Sequence, residues 1–223
     1  RLTDVTGVQT CALPILNNFI KKSEAGALRI QDIMSMKTMP VTGQPEQPKD
    51  ASVVFEQVSF RYENRDSYAL QNVSFDVPEG TVTALVGPSG AGKTTVARLI
   101  PRFWDVEKGR IKIGGTDIRD MLPETLMRHV SFVFQDTFLF NDTIANNIRL
   151  AKPEATDQEV FEAAKASQIH DFISSLPGGY QTVAGDRGLR LSGGQKQRIT
   201  IARAILRNAP IVVLDEATAF ADP

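Results

Sequence analysis

An octapeptide, Gly87-Pro88-Ser89-Gly90-Ala91-Gly92-Lys93-Thr94, has the spacing G-x-x-x-x-G-K-[ST]. Its residue types suit one task, the holding of a chain of phosphates. Glycines let the backbone curl until successive amide N–H groups point inward at phosphate oxygens. Lys93 supplies a point charge for β- and γ-phosphates, the Thr94 hydroxyl is placed to ligate Mg2+, and Thr95 continues the nucleotide-binding run. The flanks match: the apolar run TVTALVG precedes the loop and reads as a buried strand, and KTTVARLIPRF follows as a helix. The positive dipole end of that helix faces the loop. A glycine-rich strand–helix turn can exist without a nucleotide, but this context favours the phosphate reading.

Two more segments carry chemistry. Ile211-Val-Val-Leu-Asp215-Glu216 is an apolar run ending in two carboxylates. A buried parallel strand there delivers Asp215 and Glu216 at its C-terminal end, where ligands sit in open α/β sheets. Asp215 can then hold the Mg2+ shell, while Glu216 can polarise a water for in-line attack on a γ-phosphate. Leu191-Ser192-Gly193-Gly194-Gln195 is followed by KQRITIARAIL, a predicted helix with Ile199, Ile201, Ala202 and Ile205 on its apolar side. Ser192 suits its N-cap.

Together the three segments resemble the ATP-binding cassette (ABC) superfamily, and the resemblance is continuous over 51–223, closest to the nucleotide-binding domain of an exporter-type half-transporter. It implies ATP and Mg2+ as ligands and a second nucleotide-binding domain as partner. In such pairs Ser192, Gly193, Gly194 and Gln195 cap the γ-phosphate of ATP held by the other subunit. It further implies that Tyr62 stacks on adenine, although a half-buried strand tyrosine is an equal reading of the residue alone. Gln135 corresponds to the glutamine that reaches the metal and senses a transmembrane domain. Phe138 and Phe140 suit a groove receiving a membrane-domain helix, or equally subdomain packing. Thr182-Val-Ala-Gly-Asp-Arg-Gly188 is similar to the exporter form of that segment. Ala219-Phe-Ala-Asp222 departs from the usual SALD and keeps only its aspartate. The family's switch histidine is absent, since His129 and His170 both lie upstream of the carboxylates. The other roles the family offers are a soluble ATPase subunit of an importer and a non-transport ATPase of DNA repair or translation. Neither inserted coiled-coil modules nor tandem cassettes are visible, and the exporter reading leads.

The elements that position these residues follow from patterning. ASVVFEQVSFRY and YALQNVSFDV alternate apolar and polar residues and predict an antiparallel region; GRIKIGG, HVSFVFQ and PIVVLDE predict further strands. Helical patterns at DQEVFEAAKASQIHDFISSL and GQKQRITIARAIL fall in a helical subdomain spanning 138–207. The expected fold is α/β: a P-loop NTPase core, RecA-like with a mostly parallel sheet, an antiparallel β subdomain and a helical subdomain, truncated at the C-terminus. Residues 16–36 show a moderate amphipathic helix, and Pro40, Gly43, Pro45 and Pro48 mark a linker. The segment 16–50 then reads as the exit from a last membrane helix, leading into a domain over 51–223.

Val5–Ile15, VTGVQTCALPI, is similar to a translated sequencing adapter, so residues 1–15 are expected to be non-native and the chain a gene fragment. Such a fragment is expected to be weakly stable, to bind some ATP and to hydrolyse little. Composition agrees with a globular domain: 42% hydrophobic, 23% charged, net charge −1. Nucleic-acid partners usually meet a basic stripe, and none is present. With one cysteine, Cys11, no internal disulfide can form. No run reaches the roughly 18 apolar residues of a membrane span. The expected location is the cytoplasmic face of a cell membrane, in bacteria the inner membrane, reached through a membrane domain outside this sequence that also selects the cargo.

Overall fold

The computed structural model describes residues 3–35, 39–40, 46–63, 65–188 and 190–215, with side chains described from Ile15 onward. The chain divides into two compact units, Arg1–Pro40 and Val41–Pro223. The first is α1, Thr3–Met34, a helix whose described side chains are all exposed. No described helix is long and apolar enough to cross a membrane.

In the second unit the predicted antiparallel region is a four-stranded sheet in the order β2-β1-β3-β4. Its strands are β1 (Val53–Phe60), β2 (Leu70–Val77), β3 (Lys108–Ile113) and β4 (Thr116–Asp117). Alternation along β1 buries Val53 and Phe55, and Phe55 stacks on Phe75 across the β1–β2 register at 4.5 Å. The register slips after Phe55, where Gln57 takes φ 50°, so that Val58 and Phe60 also face the core. Gly109 on β3 answers that bulge. A Cβ there would lie 2.3 Å from the Glu56 carbonyl oxygen, so a side chain is excluded.

Residues just before β1 are also tied to this sheet. Glu46 N donates to Asp120 O, in the turn after β4, and Lys49 N to Gly114 O, in the β3–β4 turn.

The parallel part is a pair, β5 (Val130–Val133) and β6 (Ile211–Leu214), in register Val130↔Ile211 to Val133↔Leu214. Here two expectations are corrected. TVTALVG forms no hydrogen-bonded strand, and Val82 and Val86 are exposed. Apolar β-formers supply propensity, but a strand exists only through a neighbour, and β5 and β6 pair with each other, leaving 81–87 unpaired among the described residues. The helix after the loop is also shorter than KTTVARLIPRF: α2 covers Lys93–Leu99. Pro101 has no N–H to extend the helical hydrogen-bond ladder, and Arg102 turns to φ 56°.

Helix α3 (Pro123–His129) leads directly into β5, and four helices, α4 (Ile144–Arg149), α5 (Asp157–Ala166), α6 (His170–Ser175) and α7 (Gly193–Arg207), enclose a separate core around Leu139, Ile148, Val160, Ile173 and Ile199. The run expected as one helical pattern, 157–176, breaks at Gln168, whose φ is 56°. On α7 Ile199 and Ala202 are buried as expected, whereas Ile205 is 40% exposed and Ala204 and Leu206 face inward instead.

Helix α5 starts on a capping box in which Thr156 and Glu159 satisfy each other's orphan donors. The Lys152 ammonium, with the Thr156 backbone and hydroxyl, draws the Glu159 carboxyl from 4.5 to about 2. A depressed carboxyl contributes stability above its unfolded value and loses it as pH falls through the folded one. Glu159→Gln is therefore expected to be less stable than the parent above 4.5, with the gap closing as pH falls toward about 2. Urea unfolding midpoints compared across that window test this, and a gap independent of pH would contradict it.

Candidate functional site

The loop 87–92 is exposed and leads into α2 through Gly92, which sits at φ 89° as the helix N-cap. A Cβ on Gly92 would lie 2.6 Å from Leu70 Cδ2 and 2.9 Å from the Ala69 carbonyl oxygen. The start of β2 thus backs the loop so closely that only glycine fits, and φ alone would already strain any other residue. Gly90 also adopts positive φ, at 82°. Ala91 N donates back to Pro88 O. Pro88 and Ser89 lie on the exposed outer turn with Gly87.

Lys93 folds over this loop. Its Nζ donates to Gly87 O at 2.9 Å and Pro88 O at 2.8 Å. An ammonium has three donors, so it is anchored in the loop's concavity with capacity for a further acceptor.

One residue on, the Thr94 hydroxyl donates to Asp215 Oδ1 at 2.8 Å. The structure therefore brings together two predicted site residues that are 121 positions apart. Asp215 caps the end of β6, and its backbone N donates to Val133 O on β5. Its side chain is 4% exposed, and its Oδ2 is buried without a hydrogen-bond partner. A hydroxyl and a carboxylate in contact, with one carboxylate oxygen accepting no hydrogen bond, is an oxygen donor set of the kind Mg2+ takes. The residues fit that ion.

The parallel register carries the chain past Val133 at the same edge where β6 delivers Asp215. Gln135 is there, exposed on the bend after β5. Glu216 and Ala219–Asp222 lie outside the described residues.

Tyr62 is half-buried and packs edge-on against Phe60 and Trp104, at 4.8 and 5.3 Å. Its hydroxyl shares a 3.1 Å hydrogen bond with Thr95 Oγ1, so the tyrosine is tied to the helix that follows the phosphate loop. A cavity of about 700 Å³ lies beside it, lined by Arg61, Glu63, Arg65, Asp66, Asp105 and Glu107.

Ser192 and Gln195 form a second capping box: Gln195 N donates to Ser192 Oγ at 3.3 Å and Ser192 N to Gln195 Oε1 at 2.8 Å. Ser192 and Gly193 are exposed and Gly194 is half-buried, at the free N-terminal end of the 15-residue α7. The Ser192 oxygen accepts in this cap, which leaves its O–H to donate outward.

Phe138 and Phe140 meet edge-on at 5.0 Å and are about half exposed. They line a groove of about 600 Å³ with Phe103, Phe132, Phe134 and Arg203. The segment 182–188 runs beside their loop, Ile144 N donating to Thr182 O and Ala184 N to Asp142 O.

Sequence reasoning missed two arginines. Arg203 on α7 donates to Phe138 O, Asn147 O and Asn147 Oδ1. Arg98 on α2 brings its Nε to 3.7 Å from Asp215 Oδ2. Spacing offered one usable sign: Arg98 stands four residues after Thr94, hence on the same helix face.

A glycine loop with its lysine, a hydroxyl–carboxylate pair at a parallel strand end, an antiparallel sheet and a helical layer define a phosphate-loop nucleotide-binding domain of mixed α/β build. The chain belongs to the ABC transporter family, whose model matches residues 70–219. It is 54% identical over 170 residues to YgaD of Bacillus subtilis strain 168, named as a multidrug export ATP-binding/permease protein; the match covers 76% of this chain and 29% of YgaD. A protein of the same description from Staphylococcus aureus strain Mu50 is 47% identical over 182 residues, 82% of this chain and 32% of its own. Among solved structures, a bacterial Atm1-family ABC exporter with ATP bound matches with TM-score 0.84 and 41% identity, over 94% of this chain and 37% of that one. The chain thus spans about a third of the length of these curated relatives.

Proposed function

We propose that this chain is the ATP-binding and ATP-hydrolysing domain of an ABC exporter, working at the cytoplasmic face of a cell membrane, the inner membrane in bacteria. The observation that carries the reading is the 2.8 Å bond from Thr94 to the buried Asp215, one residue from the anchored Lys93.

The loop Gly87–Gly92 holds the phosphates of ATP through its backbone, and Lys93 moves from the Gly87 and Pro88 carbonyls to the β- and γ-phosphates. Thr94, Asp215 and Gln135 would hold Mg2+, which when bound offsets the charge of the β- and γ-phosphate oxygens. Glu216, next to Asp215, polarises the water for in-line attack on the γ-phosphate. Tyr62 turns its ring to the adenine from its seat against Trp104.

In this reading Ser192, Gly193, Gly194 and Gln195 close over the γ-phosphate held by a second such domain, with the Ser192 O–H and the N-terminal end of α7 as donors. Hydrolysis then requires a dimer. The groove beside Phe138 and Phe140 receives a helix of the transmembrane domain, within a helical subdomain over 138–207. Residues 1–15 are a non-native segment, and 16–50 connect the membrane domain to the nucleotide-binding domain. ATP prefers the closed dimer over the open one, and that difference in affinity is the work available to move cargo.

The test is binding of a fluorescent ATP analogue to the purified chain, with Mg2+ and with EDTA. Asp215→Asn is expected to weaken binding by roughly 10-fold in Mg2+ and to change little in EDTA, the loss expected of one charge-assisted contact. Absence of saturable binding, or an equal loss in both buffers, would sink the proposal.

A further inference from the structure

Asp215 is compensated unevenly. Its Oδ1 accepts from Thr94, whereas Oδ2 has no hydrogen-bond partner although the side chain is 4% exposed. A buried carboxylate without a counter-charge is costly. The cation that faces Oδ2 is Arg98, whose Nε lies 3.7 Å away, inside ion-pair range but beyond a hydrogen bond, and is itself buried without a hydrogen-bond partner. The rest of the Arg98 side chain is a third exposed, so the far end of the guanidinium keeps its water. Thr94 and Arg98 stand four residues apart on α2, and each addresses a different oxygen of the same carboxylate.

We propose that Arg98 is the resident counter-cation of Asp215, holding the carboxylate in place when no metal is bound and setting how much Mg2+ the site needs to bind nucleotide. This rests on the ATP·Mg2+ reading of the site given above. The two effects have opposite signs. A positive charge beside Oδ2 stabilises the bare carboxylate, and the same charge repels a divalent cation arriving at that carboxylate. Arg98 is a positioning residue: it touches Asp215 and need not touch ATP. The 3.7 Å gap suits this work, because an arginine bonded bidentately to Asp215 would have to be pulled away before a metal could enter.

The experiment measures fluorescent ATP-analogue binding to the whole chain while Mg2+ is titrated, and the melting temperature in EDTA and in Mg2+ with ATP. Arg98→Met keeps the stem and removes the charge. It is expected to lower the Mg2+ concentration at half-maximal enhancement of binding by roughly 3- to 10-fold, as removal of one nearby like charge requires. It is also expected to melt below the parent in EDTA, with the difference narrowing in Mg2+ with ATP. Arg98→Lys retains the charge and should keep its Mg2+ midpoint within about 2-fold of the parent. An unchanged or raised midpoint in Arg98→Met overturns the proposal, as does an equal shift in the Met and Lys variants, which would make Arg98 a packing residue. If the parent binds the analogue without any Mg2+ dependence, the metal reading itself falls and takes this inference with it. A parent that responds to Mg2+ with an indifferent Arg98→Met leaves the metal reading standing and removes Arg98 alone.

Discussion

Lys93→Ala is expected to weaken ATP binding by roughly 30- to 100-fold, the loss of about one strong charge-assisted hydrogen bond to phosphate. The structure supplies the reason the effect is confined to binding. Lys93 is half-buried, and its partners are carbonyls of an exposed loop, Gly87 O and Pro88 O. Those carbonyls find water when the ammonium is removed, so folding loses little. The melting temperature of the nucleotide-free variant is expected to stay within roughly 2 °C of the parent, since the lost contacts are solvent-exposed. Titration with a fluorescent ATP analogue, paired with a thermal melt, separates the two effects. Affinity within about 3-fold of the parent would show that Lys93 stays on the loop carbonyls and does not serve phosphate.

The second large effect falls on stability. Arg203 reaches from α7 to the loop carrying Phe138 and Phe140, donating at 2.5 Å to Asn147 O, 2.7 Å to Phe138 O and 2.8 Å to Asn147 Oδ1. Asn147 in turn binds Phe140 N and the carbonyls of Phe140 and Thr143. One guanidinium and one amide therefore hold most of the 138–143 loop against α7. Burial pulls the Arg203 guanidinium down to about 10, which still leaves it charged at neutral pH. Arg203→Met is expected to cost about 3 kcal/mol, because the acceptors on the buried Asn147 lose a charged donor. In a domain of this size that lowers the melting temperature by roughly 6–12 °C. Arg203→Lys should recover little, since an ammonium cannot reproduce the planar fork. A melt within about 2 °C of the parent for Arg203→Met would refute this account.

Much of the site was legible because its parts are local. The phosphate loop announces itself by glycine spacing, and Gly92 proves to be a position where a Cβ would meet Leu70 and the Ala69 carbonyl. Ser192 was readable as an N-cap, and the reciprocal bond with Gln195 is the capping box that the S-x-x-Q spacing allows. The strands β1, β2, β3, β5 and β6 fall where alternation and apolar runs placed them.

What was not legible depends on partners distant in sequence. TVTALVG has the composition of a buried strand, but strand formation is decided by a neighbour, and 81–87 has none among the described residues. The break between α5 and α6 falls at Gln168, with no glycine or proline to announce it. Arg98 and Arg203 look like any other helical arginines in the sequence. Their roles come from where α2 and α7 lie against β6 and the 138–147 segment, which no local pattern encodes.

The bond between Thr94 and Asp215 also has a consequence in time. It closes a loop of 121 residues, so on a ribosome adding about 5–20 residues per second the hydroxyl is made roughly 6–24 s before its carboxylate. Throughout that interval the nascent chain carries the glycine loop and Thr94 without the carboxylate that the Thr94 hydroxyl meets in the folded domain. On the proposed ATP·Mg2+ reading, stabilisation through this pair would begin only when β6 has been synthesised and has found β5.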